Sequence, residues 1–517
     1  VFSRAPKITA LVAGLISATG FAPLHFWPLT IAALAVLAGL VADAPDRRSA
    51  FVRGWLFGVG HFTIGLNWIA HAFTFQDAMP HWLGYGAVVL LSLYLALFPA
   101  IAALATWWGA RRLALPLPGF ALTFAAAWII SEWLRATLFT GFAWNPLGVI
   151  WLPSGGAIAA TLVGTYGLSG LAMLAGGGVL LALRRHLKAA AAIILPLCAI
   201  ILWGQVATQG GGPAGSTRIR VVQPNIGQQD KHVDAFEEQN FQKLATLSGH
   251  ASDTPRLVFW PEAAVPAYLD MEPEWRFRIA GLLGHNDLLL LGGSKVYFKD
   301  KPISLPGGGT YVDRVLSGAA NSLWVLTADG RLTGRYDKAH LVPFGEYLPL
   351  RGLLAPIGLT RLVPGDVDFW PGPGAQSVPL LAAPGRPAMK VGGQICYEII
   401  FSGHVVDKTN RPAFLFNPSN DAWFGSWGPP QHLAQAQLRA IEEAMPIIRS
   451  TPTGVSAVID ARGRVLKSLP FQRAGFIDTL LPPPAGPTLF SRLGNSAAML
   501  LAIMLFGLAV ALRRRGR

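Results

Sequence analysis

Charge is what this 517-residue chain has least of: 14% of its residues are Asp, Glu, Lys or Arg, against 52% hydrophobic, and its mean hydropathy is +0.42. A soluble globular chain carries roughly 25% charged residues, so an ordinary water-soluble organisation is excluded for the whole molecule. Cysteine is nearly missing. With two thiols, Cys198 and Cys396, neither a disulfide framework nor a Cys-based metal cluster can be built. The 11 histidines are scattered with no His-Glu-x-x-His spacing, so no metal is expected. Acids are scarce beside bases, 28 to 42, but the net +14 does not describe a nucleic-acid surface. The excess sits in short clusters beside apolar stretches, residues 206–490 nearly balance, and no basic stripe is present.

What the chain has instead is long apolar runs of roughly 17 to 25 residues, the length that crosses a bilayer core as helix. They fall near 8–24, 28–42, 54–73, 82–106, 118–138, 157–183, 188–205 and 494–512, which predicts eight transmembrane helices. Basic residues in short loops stay on the cytoplasmic side. Arg4 and Lys7, Arg47, Arg48 and Arg53, Arg111 and Arg112, Arg184, Arg185 and Lys188, and Arg513 to Arg517 share one side in this reading. Both termini are then cytoplasmic and residues about 206–490 lie outside, in the periplasm of a Gram-negative cell. The first run, followed by further spans and without a small-residue cleavage site, reads as a retained helix. Cys198, within the seventh run, reads as a buried small hydrophobe. The glycines from Gly164 to Gly178 read as close helix packing.

After a Gly-rich linker at 206–217 the grammar changes. Short β-rich runs recur at 218–222, 257–260, 288–291, 322–326, 389–395, 413–416 and 455–459, with polar helical stretches at 233–247 and 432–448. Strand alternating with helix predicts a layered α/β domain over 218–480. Ala328 to Arg331 and Asp460 to Gly463 look like hairpin turns, so part of the sheet is antiparallel. Pro-rich 481–493 is a stiff connector into the last span at 494–517. Residues 1–205 form the membrane domain in this division.

Three segments carry chemistry. Met389-Lys390-Val391-Gly392-Gly393-Gln394-Ile395-Cys396-Tyr397-Glu398 is a strand that ends in a thiol. A cysteine attacks a carbonyl only as thiolate, so it needs a base in reach and a donor for the oxyanion. Phe259-Trp260-Pro261-Glu262 supplies a carboxylate at the C-terminal edge of a strand, where open α/β sheets place ligands. Tyr336-Asp337-Lys338 supplies an amine after a hairpin. Cys, Glu and Lys are together the composition of acyl transfer through a thioester.

These segments, in order over about 140 residues, resemble the three motifs of the nitrilase (carbon-nitrogen hydrolase) superfamily. Seven preceding runs and one following run look like its membrane-embedded apolipoprotein N-acyltransferase family, and the resemblance covers essentially the whole chain. It implies an αββα sandwich on a polytopic helical domain, with Cys396 as nucleophile, Glu262 as base and Lys338 as the cation for the oxyanion. Glu346, Tyr397 and Glu398 become supporting residues, and Asn321, Asn420 and Trp423 shape the site. The implied partners are a phospholipid acyl donor, phosphatidylethanolamine, and a diacylglyceryl apolipoprotein acceptor; no cofactor and no nucleic acid are involved, and a monomer is expected. The implied reaction is the ping-pong last step of lipoprotein maturation. His232 stands where that family commonly has a loop tryptophan. Apolar 348–359 reads as either a membrane-dipping lid or a buried loop. The rival readings are a membrane-tethered amidase and a transporter; few intramembrane charges, Glu132 and Arg135 the exceptions, speak against the transporter.

Overall fold

The computed structural model describes residues 4–75, 80–209, 215–231, 233–251, 253–304, 310–357 and 367–513. Its apolar runs are helices: Pro6–Ser17, Trp27–Ala42, Arg47–Gly65, Leu83–Leu95 continuing as Leu97–Arg112, Leu117–Thr137, Ala160–Leu183, Leu187–Gln209 and Ser496–Arg513. Proline opens several of them, where its missing N–H is no loss. Asp46 caps the third, its carboxylate accepting from Ser49 N at 2.8 Å.

Among the described residues, five helical stretches are long and apolar enough to cross a membrane: Leu83–Arg112, Leu117–Thr137, Gly156–Leu183, Leu187–Ala207 and Ser496–Arg513. The other three expected spans differ for physical reasons. Pro6–Ser17 and Trp27–Ala42 have 12 and 16 residues, which at about 1.5 Å per residue fall short of a hydrocarbon core near 30 Å. Arg47–Gly65 begins on two arginines, Arg47 and Arg48, and buries a third, Arg53, about two turns in. Leu195, Leu202, Leu500, Ile503 and Met504 stand 57–68% exposed on the last two long helices, an apolar surface that suits lipid. Cys198 is exposed on the same face, not buried as expected. It serves as surface rather than core. Glycine permits close packing inside the bundle: a Cβ on Gly176 would lie 2.7 Å from that of Leu34. At Gly164, φ +67°, helix Ala160–Leu183 breaks, and a Cβ there would strike the Phe490 ring.

The rest is a two-sheet sandwich. Its strands are β1 (Arg218–Gln223), β2 (Arg256–Phe259), β3 (Leu288–Ser304), β4 (Thr310–Thr327), β5 (Leu332–Asp337), β6 (Ser377–Leu380), β7 (Met389–Gly393), β8 (Phe414–Pro418), β9 (Ile447–Ser450), β10 (Ser456–Ile459), β11 (Val465–Leu469) and β12 (Gly475–Leu480). One sheet runs β12-β1-β2-β3-β4-β5, the other β11-β10-β9-β8-β7-β6, each with three parallel central strands and antiparallel flanks. Alternation assigns the faces. Leu257 and Phe259 of β2 join Val391, Phe414 and Phe416 in the core between the sheets, while Val258 and Trp260 turn outward onto the helices Glu237–Ser248 and Pro273–Ala280. On the other side Leu415, Ile447, Ala457 and Ile459 pack under helix Gly428–Glu443, and that cluster is continuous with the core of the helical bundle.

Both expected hairpin turns are there, with Gly330 and Gly463 at φ +77°. The helix expected to run to residue 448 stops at Glu443, because Ala444 turns left-handed at φ +49° and Ile447 and Ile448 enter β9. In the apolar segment after Leu348, Arg351–Leu354 is a short helix, with Leu350 and Leu353 at 73% and 70% exposure rather than buried. Residues 358 and 359 of that expected lid, and His232, lie outside the described residues.

Candidate active site

The three predicted segments end at one edge of the sandwich. Glu262 follows β2, and Gly292 of β3 lets it sit there: a Cβ at Gly292 would come within 2.6 Å of Glu262 Cα. Lys338 follows β5, its N–H donating 2.8 Å to the carbonyl of Asn321 on β4. Cys396 follows β7 and opens a short 3-10 turn, Cys396–Ile400, with φ +50°. A left-handed conformation in a non-glycine residue costs roughly 1–3 kcal/mol and persists only where the surroundings hold it.

Polar side chains link these points. Asn321 Nδ2 donates to Glu262 Oε1 at 2.7 Å and to Glu346 Oε1 at 2.9 Å. Lys338 Nζ meets both Glu346 oxygens, at 3.0 and 2.9 Å. Lys338 is 1% exposed. Burial alone would lower its ammonium, but Glu346, then Glu262 and Cys396, outweigh burial and hold it above the usual lysine range. The thiol of Cys396 is pushed upward, first by burial and then by the charge of Glu262, with Lys338 and the Asn420 N–H pulling the other way. It therefore rests protonated in the field of both groups.

Glu398 straps the Cys396 segment to the Lys338 segment. Its Oε1 accepts from Tyr336 Oη at 2.8 Å, Ala339 N at 2.7 Å and His340 N at 3.1 Å, and its Oε2 from Ile395 N at 2.8 Å. Burial raises its carboxyl to about 7 despite Lys338 and these donors. Tyr397 turns away from the sandwich, its hydroxyl donating 3.4 Å to Gly141 O in the loop after Leu117–Thr137. Asn420 Nδ2 donates 2.8 Å to Gln228 Oε1, and its backbone N–H faces the thiol. Trp423 lies further out, edge-on to Phe75 at 5.3 Å. Glu262, Lys338, Glu346, Asn321 and Asn420 are thus gathered about Cys396; Glu398 and Tyr397 brace its segment, and Trp423 belongs to the seam with the bundle.

Sequence reasoning passed over two features. Lys231 sends its ammonium 2.7 Å to the Glu262 carbonyl, and burial lowers it to about 8 although Glu262 and Cys396 oppose the shift. Its signal was its place in the loop Gln228 to His232, beside a residue already singled out. Behind Cys396, fully buried Asp421, His432 and Arg449 form a chain ending on the Cys396 carbonyl. Asp421 adjoins Asn420; His432 and Arg449 carried no local signal. Among the described residues, no three His, Cys, Asp or Glu stand where they could hold a metal ion.

Comparison with known proteins gives two family matches, an apolipoprotein N-acyltransferase N-terminal domain at residues 13–178 and a carbon-nitrogen hydrolase domain at residues 218–483. The chain is 35% identical to an apolipoprotein N-acyltransferase of Rhodopseudomonas palustris, over 98% of this chain and 95% of that protein. It is 36% identical to one of Caulobacter vibrioides, over 98% and 94%. Among solved structures, Saccharomyces cerevisiae Nit3, a member of branch 10 of the nitrilase superfamily, aligns with 52% of this chain and 90% of its own at 18% identity and a TM-score of 0.34.

Proposed function

The chain belongs to the apolipoprotein N-acyltransferase family, and from that premise we propose that it carries an acyl chain from a phospholipid to a lipoprotein through a thioester on Cys396. In the first half-reaction the Cys396 sulfur attacks the ester carbonyl of the donor, phosphatidylethanolamine in this reading, while its proton passes to Glu262. The tetrahedral oxyanion lies against the Lys338 ammonium. Its collapse expels the lysophospholipid alkoxide, which takes the proton back from Glu262, and leaves the thioester. In the second half-reaction the α-amine of an S-diacylglyceryl cysteine attacks the thioester and gives up a proton to Glu262; collapse forms the amide, and the departing sulfur takes that proton from Glu262 and leaves as thiol.

The observation that carries this reading is the continuous line Glu262–Asn321–Glu346–Lys338, with the charges of Glu262 and Lys338 at its ends both acting on the Cys396 thiol that follows β7. A thiol held protonated by burial must lose its proton as it attacks, which calls for a base at hand rather than a standing thiolate. Glu346 keeps Lys338 charged in a buried place, as an oxyanion partner requires.

Residues 1–205 and 494–517 form the membrane domain in this proposal, with all eight apolar runs in the bilayer or its interface, 218–480 the catalytic domain and 206–217 and 481–493 the connectors. The basic clusters from Arg47 to Arg53, at Arg111 and Arg112 and at Arg184 to Lys188 support an inner-membrane placement with both termini cytoplasmic and the catalytic domain periplasmic; the protein is taken as a monomer. Labelled phospholipid incubated with the purified protein tests the scheme. A hydroxylamine-sensitive label on wild type and none on Cys396→Ala is the expected result; label kept by Cys396→Ala rejects it.

A further inference from the structure

The buried chain behind the nucleophile ends on a peptide carbonyl rather than on the sulfur. His432 Nε2 lies 3.1 Å from Cys396 O, and Asn417 Nδ2 lies 3.3 Å from the same oxygen. On the far side of the ring, Nδ1 is 3.0 Å from Asp421 Oδ1 and 3.0 Å from Arg449 Nη2. Arg449 in turn holds Asp421 Oδ2 at 2.5 Å and Ser419 Oγ at 3.0 Å, and bonds Asn417 Oδ1. His432, Asp421 and Arg449 are each 0% exposed.

A carbonyl oxygen only accepts, so the ring proton sits on Nε2. Nδ1 is then an acceptor in the neutral ring, and the Arg449 guanidinium is the donor within its reach; Asp421 holds that guanidinium in place. The ring is locked from outside as well. Trp144, from the bundle, lies 5.2 Å from it between ring centroids and donates from Nε1 to Gln431 Oε1 at 2.8 Å.

We propose that His432 is a positioning residue for acyl transfer, gripping the Cys396 carbonyl so that the nucleophile stays in its left-handed conformation beside Glu262 and Lys338. The physical need is on the page: φ of +50° at Cys396 is a conformation a cysteine leaves unless held. Two side-chain donors on one carbonyl hold it. Because the peptide unit is planar and trans, fixing that carbonyl also fixes the direction of the Tyr397 N–H on its other edge. Burying a guanidinium and a carboxylate to steady one imidazole is costly without such a purpose.

The inference rests on Cys396 being the acylated residue, and the test separates the two. Single-turnover acylation of the full-length protein by labelled phosphatidylethanolamine in vesicles is followed for wild type, His432→Leu, His432→Gln and Asp421→Asn. His432→Leu is expected to lower the maximal acylation rate about 100-fold with half-saturating phospholipid unchanged within about twofold, as for a reacting group displaced by about an ångström. His432→Gln, which keeps an N–H donor, recovers about tenfold of that loss if the grip is the function. Should His432→Leu fail to fold, Asp421→Asn decides, with an expected fall of about tenfold in rate at unchanged half-saturation. Acylation at the wild-type rate in the folded His432 or Asp421 variants, or a loss confined to half-saturation, overturns the proposal while leaving the Cys396 thioester intact. Label retained by Cys396→Ala overturns the earlier reading instead.

Discussion

Lys231 sits where a small change in proton count alters the site. Its ammonium, lowered to about 8 by burial, supports the Glu262 backbone and adds positive charge near Glu262 and Cys396. Above that pH the folded protein loses the proton, so the acylation rate should fall on the alkaline side of about 8. Lys231→Met should start lower and lack that limb, and Lys231→Arg should keep the wild-type plateau while moving the limb to higher pH; a rate profile from pH 6 to 10 decides. The sign for stability is opposite. Between about 8 and the ordinary lysine value of 10.5 the unfolded chain binds the proton that the folded chain has shed, so stability rises with pH across that window. Unfolding midpoints of wild type and Lys231→Met should converge as pH rises through it.

At the level of elements, the site depends on three strands ending level with one another, and Gly292 of β3 is what admits the turn after β2. Gly292→Ala places a methyl against Glu262 Cα, so the backbone carrying the carboxylate must shift. The expected cost is about 1–3 kcal/mol in stability, and tenfold or more in acylation rate, read from denaturant midpoints and the labelling assay. The strands that carry Glu262 and Cys396 were legible from sequence as runs closed by Pro or Gly, whereas β5, which carries Lys338, mixes Thr, Gly, Arg and Asp and was legible only through the hairpin turn before it. The outer strands β6, β11 and β12 were not, since their exposed positions mix Ser, Lys and Thr and hide the alternation. The β3–β4 arm beyond Gly293 was missed for the same reason: it is held by its antiparallel partner rather than by an apolar face. Likewise, Glu262, Lys338 and Cys396 lie in recognisable motifs, whereas His432 and Arg449 act through contacts made only when helix Gly428–Glu443 and β9 fold behind β7. Nothing local in the sequence distinguishes that histidine from a solvated one.

For the molecule as a whole, the sandwich and the bundle are joined by a buried charge. Where the helix breaks at Gly164, the newly exposed N–H of Thr165 donates to Glu442 Oε1 at 2.6 Å, with Thr165 Oγ1 and Ser402 Oγ each at 2.7 Å. Glu442 Oε2 pairs with Arg439 Nε at 2.7 Å, and both side chains are at most 1% exposed. Glu442→Ala strands a buried guanidinium and unsatisfied donors, with an expected loss of about 3–5 kcal/mol, measured by denaturation in micelles. Glu442→Gln, which keeps an acceptor, should lose less. The bundle core also runs without interruption onto the outer face of the second sheet. A hydrolase fold that stands free needs its own covering on both sides, whereas this one borrows its fourth wall from a lipid-soluble neighbour. It follows that the enzyme could not be released from its membrane by cutting its tethers: severed at both connectors, it would still be glued along a dry seam, and only dissolving the bilayer around it would set it loose.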